Sequence, residues 1–220
     1  QKMEVLIRAK GDFTGEGLHQ ETALGSISRL GQFLHGRSAY NATIQVRNGV
    51  LELTIDSDLT GMGMRMPYPL AKTPGEKLPF HYSTRAIAPS GRHKQGHITE
   101  DEMQIRFGDR IYAQYIRDIS QTSAAKVLRG RVAIGSLAVS DPPPMPTEGV
   151  HALVQIEKLD ADGWTQILDA TWGLQETPGH PERKLLLASA ESTAVSNLYL
   201  PDQVVLRTPL LTFYNRNIEL

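Results

Sequence analysis

Apolar and polar residues alternate with a period of two along most of this chain, the pattern of strands that bury one face. Met3, Val5, Ile7 and Ala9 are separated by Glu4, Leu6 and Arg8. Tyr40, Ala42, Ile44 and Val46 alternate with Asn41, Thr43 and Gln45, and Leu51, Leu53 and Ile55 with Glu52 and Thr54. Asn48-Gly49 sits between the last two runs and predicts a hairpin, because both positions accept positive φ. Met103, Ile105 and Phe107 form the next run, Gly108-Asp109 turns the chain, and Ile111, Ala113 and Tyr115 continue it. Further strands are expected at 126–134, 150–158, 184–190, 196–200, 203–207 and 210–215.

Helical spacing is scarce. Leu24, Ile27, Leu30, Phe33 and Leu34 recur at helical intervals before Gly36, predicting a helix near 22–34. A shorter helix is expected from Gly163 to about Ala170, carrying Trp164, Ile167 and Leu168. "DPPPMPTEG" at 141–149 is too rich in proline for either element and reads as a stiff connector. The polar stretch 87–99 reads as a loop. The expected fold is mainly β, a long antiparallel meander with one or two flanking helices rather than alternating βαβ units. Three parts are expected: 1–140 with the helix near 22–34, the connector 141–149, and a continuing β segment 150–220.

Composition removes several function classes. The 220 residues carry 23 Lys+Arg against 24 Asp+Glu, so no basic face calls for nucleic acid. There is no cysteine, which excludes disulfides, thiolate metal sites and a cysteine nucleophile. No apolar run approaches the ~20 residues of a membrane helix. The first residue is Gln1 rather than Met, so the chain is expected to be a piece of a longer protein, with any signal or anchor outside it.

Three stretches could carry chemistry. Gly61 and Gly63 in "GMGMRMPYPLAK" suggest a phosphate loop. A dinucleotide fingerprint needs a third glycine where Met66 stands, and Pro67 and Pro69 stop the helix it requires. Lys72-Thr73 follows Ala71 rather than glycine, so the P-loop signature fails too. His93 and His97 lie four apart in "RHKQGHITED", but Gly96 opposes a helix and Lys94 stands where a zincin needs glutamate. His81, His151 and His180 stand alone. Ser57, between Asp56 and Asp58, fits a turn cap better than a nucleophile. No Gly-x-Ser-x-Gly elbow occurs, and the chain is not expected to be an enzyme or to need a cofactor.

The remaining signal is apolar. Met62, Met64 and Met66 form a soft stripe that ends at the double-proline elbow Pro67/Pro69, and Phe80 and Tyr82 follow. Alternation alone leaves two facings open for these residues: a sealed core, or an exposed face that contacts a ligand.

The stretch 34–79 resembles the hallmark region of the YhdP family of AsmA-like proteins. That region has a Leu-x-Gly start, a hairpin, a Ser-Asp/Asn-Leu-x-Gly turn, an apolar strand, and a Leu-Pro-x-Pro-Leu-x-Lys elbow closing on Leu-Pro. The matching residues are Ser57, Asp58, Leu59, Gly61, Pro67, Pro69, Leu70, Lys72, Leu78 and Pro79. Arg129-Gly130 and Gly135, the Pro144/Pro146/Gly149 connector and Asp162-Gly163-Trp164 extend the likeness. Met66 stands where the pattern has Leu, and Arg65 interrupts a normally apolar strand.

The resemblance implies a sheet curled into an open, taco-like groove. It implies one segment of a long protein anchored in the inner membrane of Gram-negative bacteria, with its bulk in the periplasm. The implied role is passive conduction of phospholipid toward the outer membrane. Its partners would be phospholipid acyl chains and the remainder of the same chain, with no nucleic acid and no metal. On this reading Met62, Met64, Met66, Phe80 and Tyr82 are candidates for the groove lining, Pro67 and Pro69 fix the elbow, and Lys72 is a charge on the rim. The rival readings are a periplasmic scaffold with a sealed core and a metal hydrolase built on His93 and His97.

Overall fold

The structure, a computed structural model, describes residues 5–47, 50–87, 99–120, 125–172, 199–213 and 216–219. The period-two runs become strands. β1 (Val5–Thr14), β2 (Leu34–Arg47), β3 (Val50–Ser57), β4 (Met62–Met64), β5 (Phe80–Ile87), β6 (Glu100–Phe107), β7 (Ile111–Asp118) and β8 (Lys126–Ile134) come first. β9 (Gly149–Gln155), β10 (Lys158–Asp160), β11 (Gln203–Arg207), β12 (Leu210–Phe213) and β13 (Arg216–Glu219) follow. One 10-stranded sheet has the order β1-β2-β3-β5-β6-β7-β8-β9-β11, with β4 paired to the start of β2; β10, β12 and β13 form a small second sheet. The large sheet does not close into a barrel.

From β1 to β8 every neighbour in that order is antiparallel. β9 then adds to β8 in parallel, and β11 adds to β9 in parallel. A parallel join needs a crossover. Between β8 and β9 it is made by the short helix α2 (Ser136–Ser140) and the proline-rich stretch 141–148. Alternation reports which face a residue takes and not strand direction, so a mixed sheet and a pure meander give the same pattern.

Two helical elements precede β2: α1 (Gly15–Gln20), capped by Thr14 Oγ1 accepting from Gly17 N at 3.0 Å, and a 3-10 helix over Thr22–Phe33. The expected α-helix is therefore wound more tightly. The two cross where glycines meet: a Cβ on Gly31 would lie 2.5 Å from Gly15 O, so only a bare backbone fits. α3 (Ala161–Trp172) covers the expected 163–170 helix and extends it.

Several expected features lie outside the described residues. These are Asn48-Gly49, most of the 87–99 loop with His93 and His97, His180, the 184–190 strand and most of 196–200. Arg47 and Val50 are nevertheless paired across the hairpin.

Candidate functional site

Antiparallel partners share a face and successive residues alternate faces. The register therefore sorts the sheet without further assumption. One face carries a polar row through Thr43, Thr54, Ser83, Gln104, Gln114, Arg131, His151 and Gln203. The other is mainly apolar, interrupted by Thr84 on β5 and by Asp101 and Arg117 on β6 and β7. Its first three strands contribute Val5, Ile7 and Ala9, then Ala42, Ile44 and Val46, then Leu51, Leu53 and Ile55, each facing its neighbour in register. This lattice is wholly aliphatic, with no aromatic ring and no hydrogen-bonding side chain. It is also uncovered at its margin: Ile7 is 52% and Leu51 58% exposed.

At one end of the strands the apolar face is capped. Leu59, Met64, Met66, Leu78 and Ile167 form a buried cluster, with Phe13, Leu30, Phe33, Leu34, Phe80, Phe107 and Trp164 packed on it. Ile167 and Trp164 belong to α3, so this helix lies over the methionine strand. The Ser57–Gly61 turn holds the cap in place. Ser57 Oγ donates to Ala39 O at 2.7 Å and accepts from Leu59 N at 3.0 Å, while Asp58 Oδ1 accepts from Thr60 N at 3.0 Å. These bonds fix Leu59 at φ +52° and let it point inward, 4% exposed. The serine is thus a turn cap, as its setting between two aspartates suggested.

The candidate groove residues divide between these environments. Met62, Met64 and Met66 are 1%, 8% and 7% exposed, buried rather than on an open face, and Met64 and Met66 belong to the cluster covered by α3 and the 3-10 helix. Phe80 and Tyr82 are on the apolar face. Phe80 meets Phe107 at a ring separation of 4.9 Å under the cap. Tyr82 sits between Ile55 and Ile105, beside the lattice.

The elbow is built as a support for the cap. Pro67 O accepts from Leu70 N at 3.0 Å and Ala71 N at 3.2 Å, and Trp164 Nε1 donates to Tyr68 O at 3.0 Å. Arg110 binds the elbow's far side through Pro69 O at 3.3 Å, Ala71 O at 3.0 Å and the carboxylate of Glu76. Pro67 and Pro69 thereby dock β4 under α3 rather than bending one exposed strand into the next.

Lys72 is likewise not a rim charge. Its residue is 6% exposed, and its Nζ donates to Met62 O at 2.7 Å and Thr73 O at 3.0 Å. Loss of hydration holds its pKa below the usual lysine value, with Glu76 and Asp58 working in the opposite direction. It ties the elbow to β4.

Beyond β5 the apolar face changes character. Met103, Ala113, Tyr115 and Val150 form a second buried cluster, with Tyr82, Ile105, Val127, Val132 and Tyr199 packed against it. Among them lies a buried ion pair: Arg117 Nε donates to Asp101 Oδ1 at 2.9 Å and Nη2 to Oδ2 at 2.5 Å, with Asp101 5% exposed. Burial opposes the Arg117 charge, but hydrogen bonds to Asp101 and Tyr199 outweigh it and raise its pKa. Burial also pushes the Tyr115 hydroxyl up to about 12. The sequence held a signal for this pair. Asp101 and Arg117 share the parity of Met103–Phe107 and Ile111–Tyr115, so they are charged residues at apolar positions.

On the polar face a hollow of about 630 Å³ is lined by Asn41, Asp56, His81 and Arg106, among others, and His81 Nδ1 lies 2.7 Å from Asp56 Oδ1. Among the described residues, no three His, Asp or Glu side chains are grouped to hold a metal. No helix among them is long and apolar enough to cross a membrane.

One protein family, described as YhdP protein, matches this sequence over residues 1–219. No curated protein and no solved structure matches it.

Proposed function

The chain belongs to the YhdP family, and from that premise we propose that it is one length of a lipid-conducting surface on which phospholipid acyl chains lie against the apolar side of the sheet. The observation that carries this reading is the exposed aliphatic lattice of β1, β2 and β3. It spans three strands in register and its side chains offer no polar group. Stripping an alkyl chain into water costs about 0.8 kcal/mol per CH₂, on the order of 12 kcal/mol for sixteen carbons. A continuous aliphatic surface lowers that cost without a covalent step or cofactor. In this proposal the segment belongs to the periplasmic part of a protein held by an inner-membrane anchor elsewhere in the chain, and the headgroups stay in water.

A non-catalytic scaffold is the rival, and the closed methionine core supports it, since at that end of the sheet Met64 and Met66 are buried under helices. Native mass spectrometry of the full chain after incubation with phosphatidylethanolamine vesicles separates the two. The lipid reading expects bound phospholipid above that on a β protein of similar size. Equal amounts on both would leave the scaffold.

A further inference from the structure

The apolar face is not uniform in exposure. The lattice on β1–β3 is open at its margin, whereas Met103, Tyr115 and Val150 on β6, β7 and β9 are 5%, 6% and 2% exposed. One residue from the loop before β11 lies at the centre of this cover. The Tyr199 ring meets Tyr115 edge-on at 5.2 Å between centroids, and its backbone oxygen accepts from the Tyr115 hydroxyl at 3.1 Å. The Tyr199 hydroxyl accepts from Arg117 Nη1 at 3.1 Å. Arg117 in turn donates through Nε and Nη2 to both carboxylate oxygens of Asp101, which fixes its guanidinium beneath Tyr199. Asp202 closes the same loop on β9, with its Oδ2 accepting from Val150 N at 2.6 Å and its N–H donating to Val150 O at 2.8 Å.

A polar island of this kind is a poor surface for an alkyl chain. Hydrocarbon laid over it would have to displace Tyr199 and strand the Arg117 and Tyr115 donors without acceptors. The aliphatic lattice imposes no such demand. Tyr82, between Ile55 and Ile105, marks where one surface gives way to the other.

We propose that Tyr199, positioned by Arg117 and Asp101, sets the boundary of the acyl-chain track, so that lipid contacts the β1–β3 lattice and is excluded from the β6–β9 half of the same face. This rests on the lipid-conducting reading above. Tyr199 and Arg117 act as positioning residues, because they fix where the hydrocarbon surface ends.

The chain has no cysteine, so single cysteines report each half without background. Ala9→Cys probes the lattice and Ala113→Cys the covered half, both in the full chain. The readout is maleimide labelling with and without phosphatidylethanolamine vesicles. The expected result is rapid labelling at position 9, slowed at least about ten-fold by lipid, and negligible labelling at 113 in either condition. In the Tyr199→Ala background, position 113 becomes reactive and lipid-protected. Tyr199→Phe keeps the ring and loses the Arg117 acceptor, so it gives an intermediate gain and serves if the alanine variant misfolds.

Equal lipid protection at 9 and 113 with Tyr199 intact would overturn the boundary while leaving the lipid reading in place. So would a folded Tyr199→Ala chain in which 113 stays unreactive. No lipid protection at position 9 would overturn the lipid reading itself, and the boundary with it.

Discussion

The two ends of the apolar face are made from the same kinds of residue and do opposite things. At the capped end, Met64 and Met66 lie under α3 and the 3-10 helix, and the elbow, Arg110 and Lys72 are spent on holding that cover in place. Across β1–β3, Ile7, Ala42, Ile44, Leu53 and Ile55 form an equally apolar surface whose margin stays in water. Apolar character is therefore common to both regions, and what separates them is cover. The covered regions also bring polar anchors with them, a buried lysine in one and an arginine–aspartate pair in the other. Among the described residues, the lattice carries no such anchor.

The largest effect is expected where that contrast is sharpest. Met64→Glu places a carboxylate, without a partner, among Leu59, Leu78 and Ile167. The loss should be about 4 kcal/mol or more, read as a fall in the thermal unfolding midpoint. A variant that stays folded but no longer carries lipid would put Met64 on an open surface and erase the distinction between the two ends.

Arg117→Met tests the covered half next. It strands the Asp101 carboxylate at 5% exposure, which should cost about 3–5 kcal/mol. Pairing the change with Asp101→Leu should restore most of the stability. A single variant as stable as the parent at neutral pH would mean that the ion pair does not hold this half shut.

Much of this organisation was legible in the residues, and the rest failed for identifiable reasons. The strands could be read because burying one face forces a period of two, and β11 falls at 203–207 as expected. The Ser57–Gly61 turn could be read because the Ser57 and Asp58 side chains each accept from a backbone N–H two residues on. What covers Met64 could not be read: Trp164 and Ile167 are about a hundred residues away, and alternation carries no record of which apolar face a distant helix will choose. Lys72 misled for the same reason, since its acceptors Met62 O and Thr73 O are backbone atoms with no sequence signature. Strand direction at β8–β9 is invisible to parity. Asp101 and Arg117 stood as charges at apolar positions, a signal that was missed, and their pairing with each other and with Tyr199 required the fold.

Tyr115 gives a smaller, pH-selective test of the covered half. Its folded pKa of about 12 lies above the unfolded value near ~10, so the fold favours the neutral hydroxyl. That contribution is fully present below about pH 10 and is lost as pH rises toward 12. It amounts to about 2–3 kcal/mol, since each unit is worth about 1.4. Tyr115→Phe should cost about 1 kcal/mol at neutral pH through the lost bond to Tyr199 O. It should also flatten stability between pH 10 and 12 relative to the parent. Parallel curves for the two proteins would mean that Tyr115 titrates freely and the cover is loose.

The smallest expected change in stability is the one that isolates the lattice. Ile7 is 52% exposed on an edge strand, and its neighbour in register is Ile44. Ile7→Glu leaves no cavity and buries no charge in the lipid-free protein, so the unfolding free energy should move by no more than about 0.5 kcal/mol. With an acyl chain laid over β1 and β2 the same carboxylate would be covered by hydrocarbon, an environment that rejects it. Bound phosphatidylethanolamine should then fall at least about ten-fold, equivalent to about 1.4 kcal/mol. Ile7→Val, which keeps the surface aliphatic, should leave it unchanged. Full lipid retention by a folded Ile7→Glu chain would move the track off this end of the lattice. The same substitution is expected to remove the fold at Met64 and only bound lipid at Ile7, and that asymmetry would separate a cap from a contact surface.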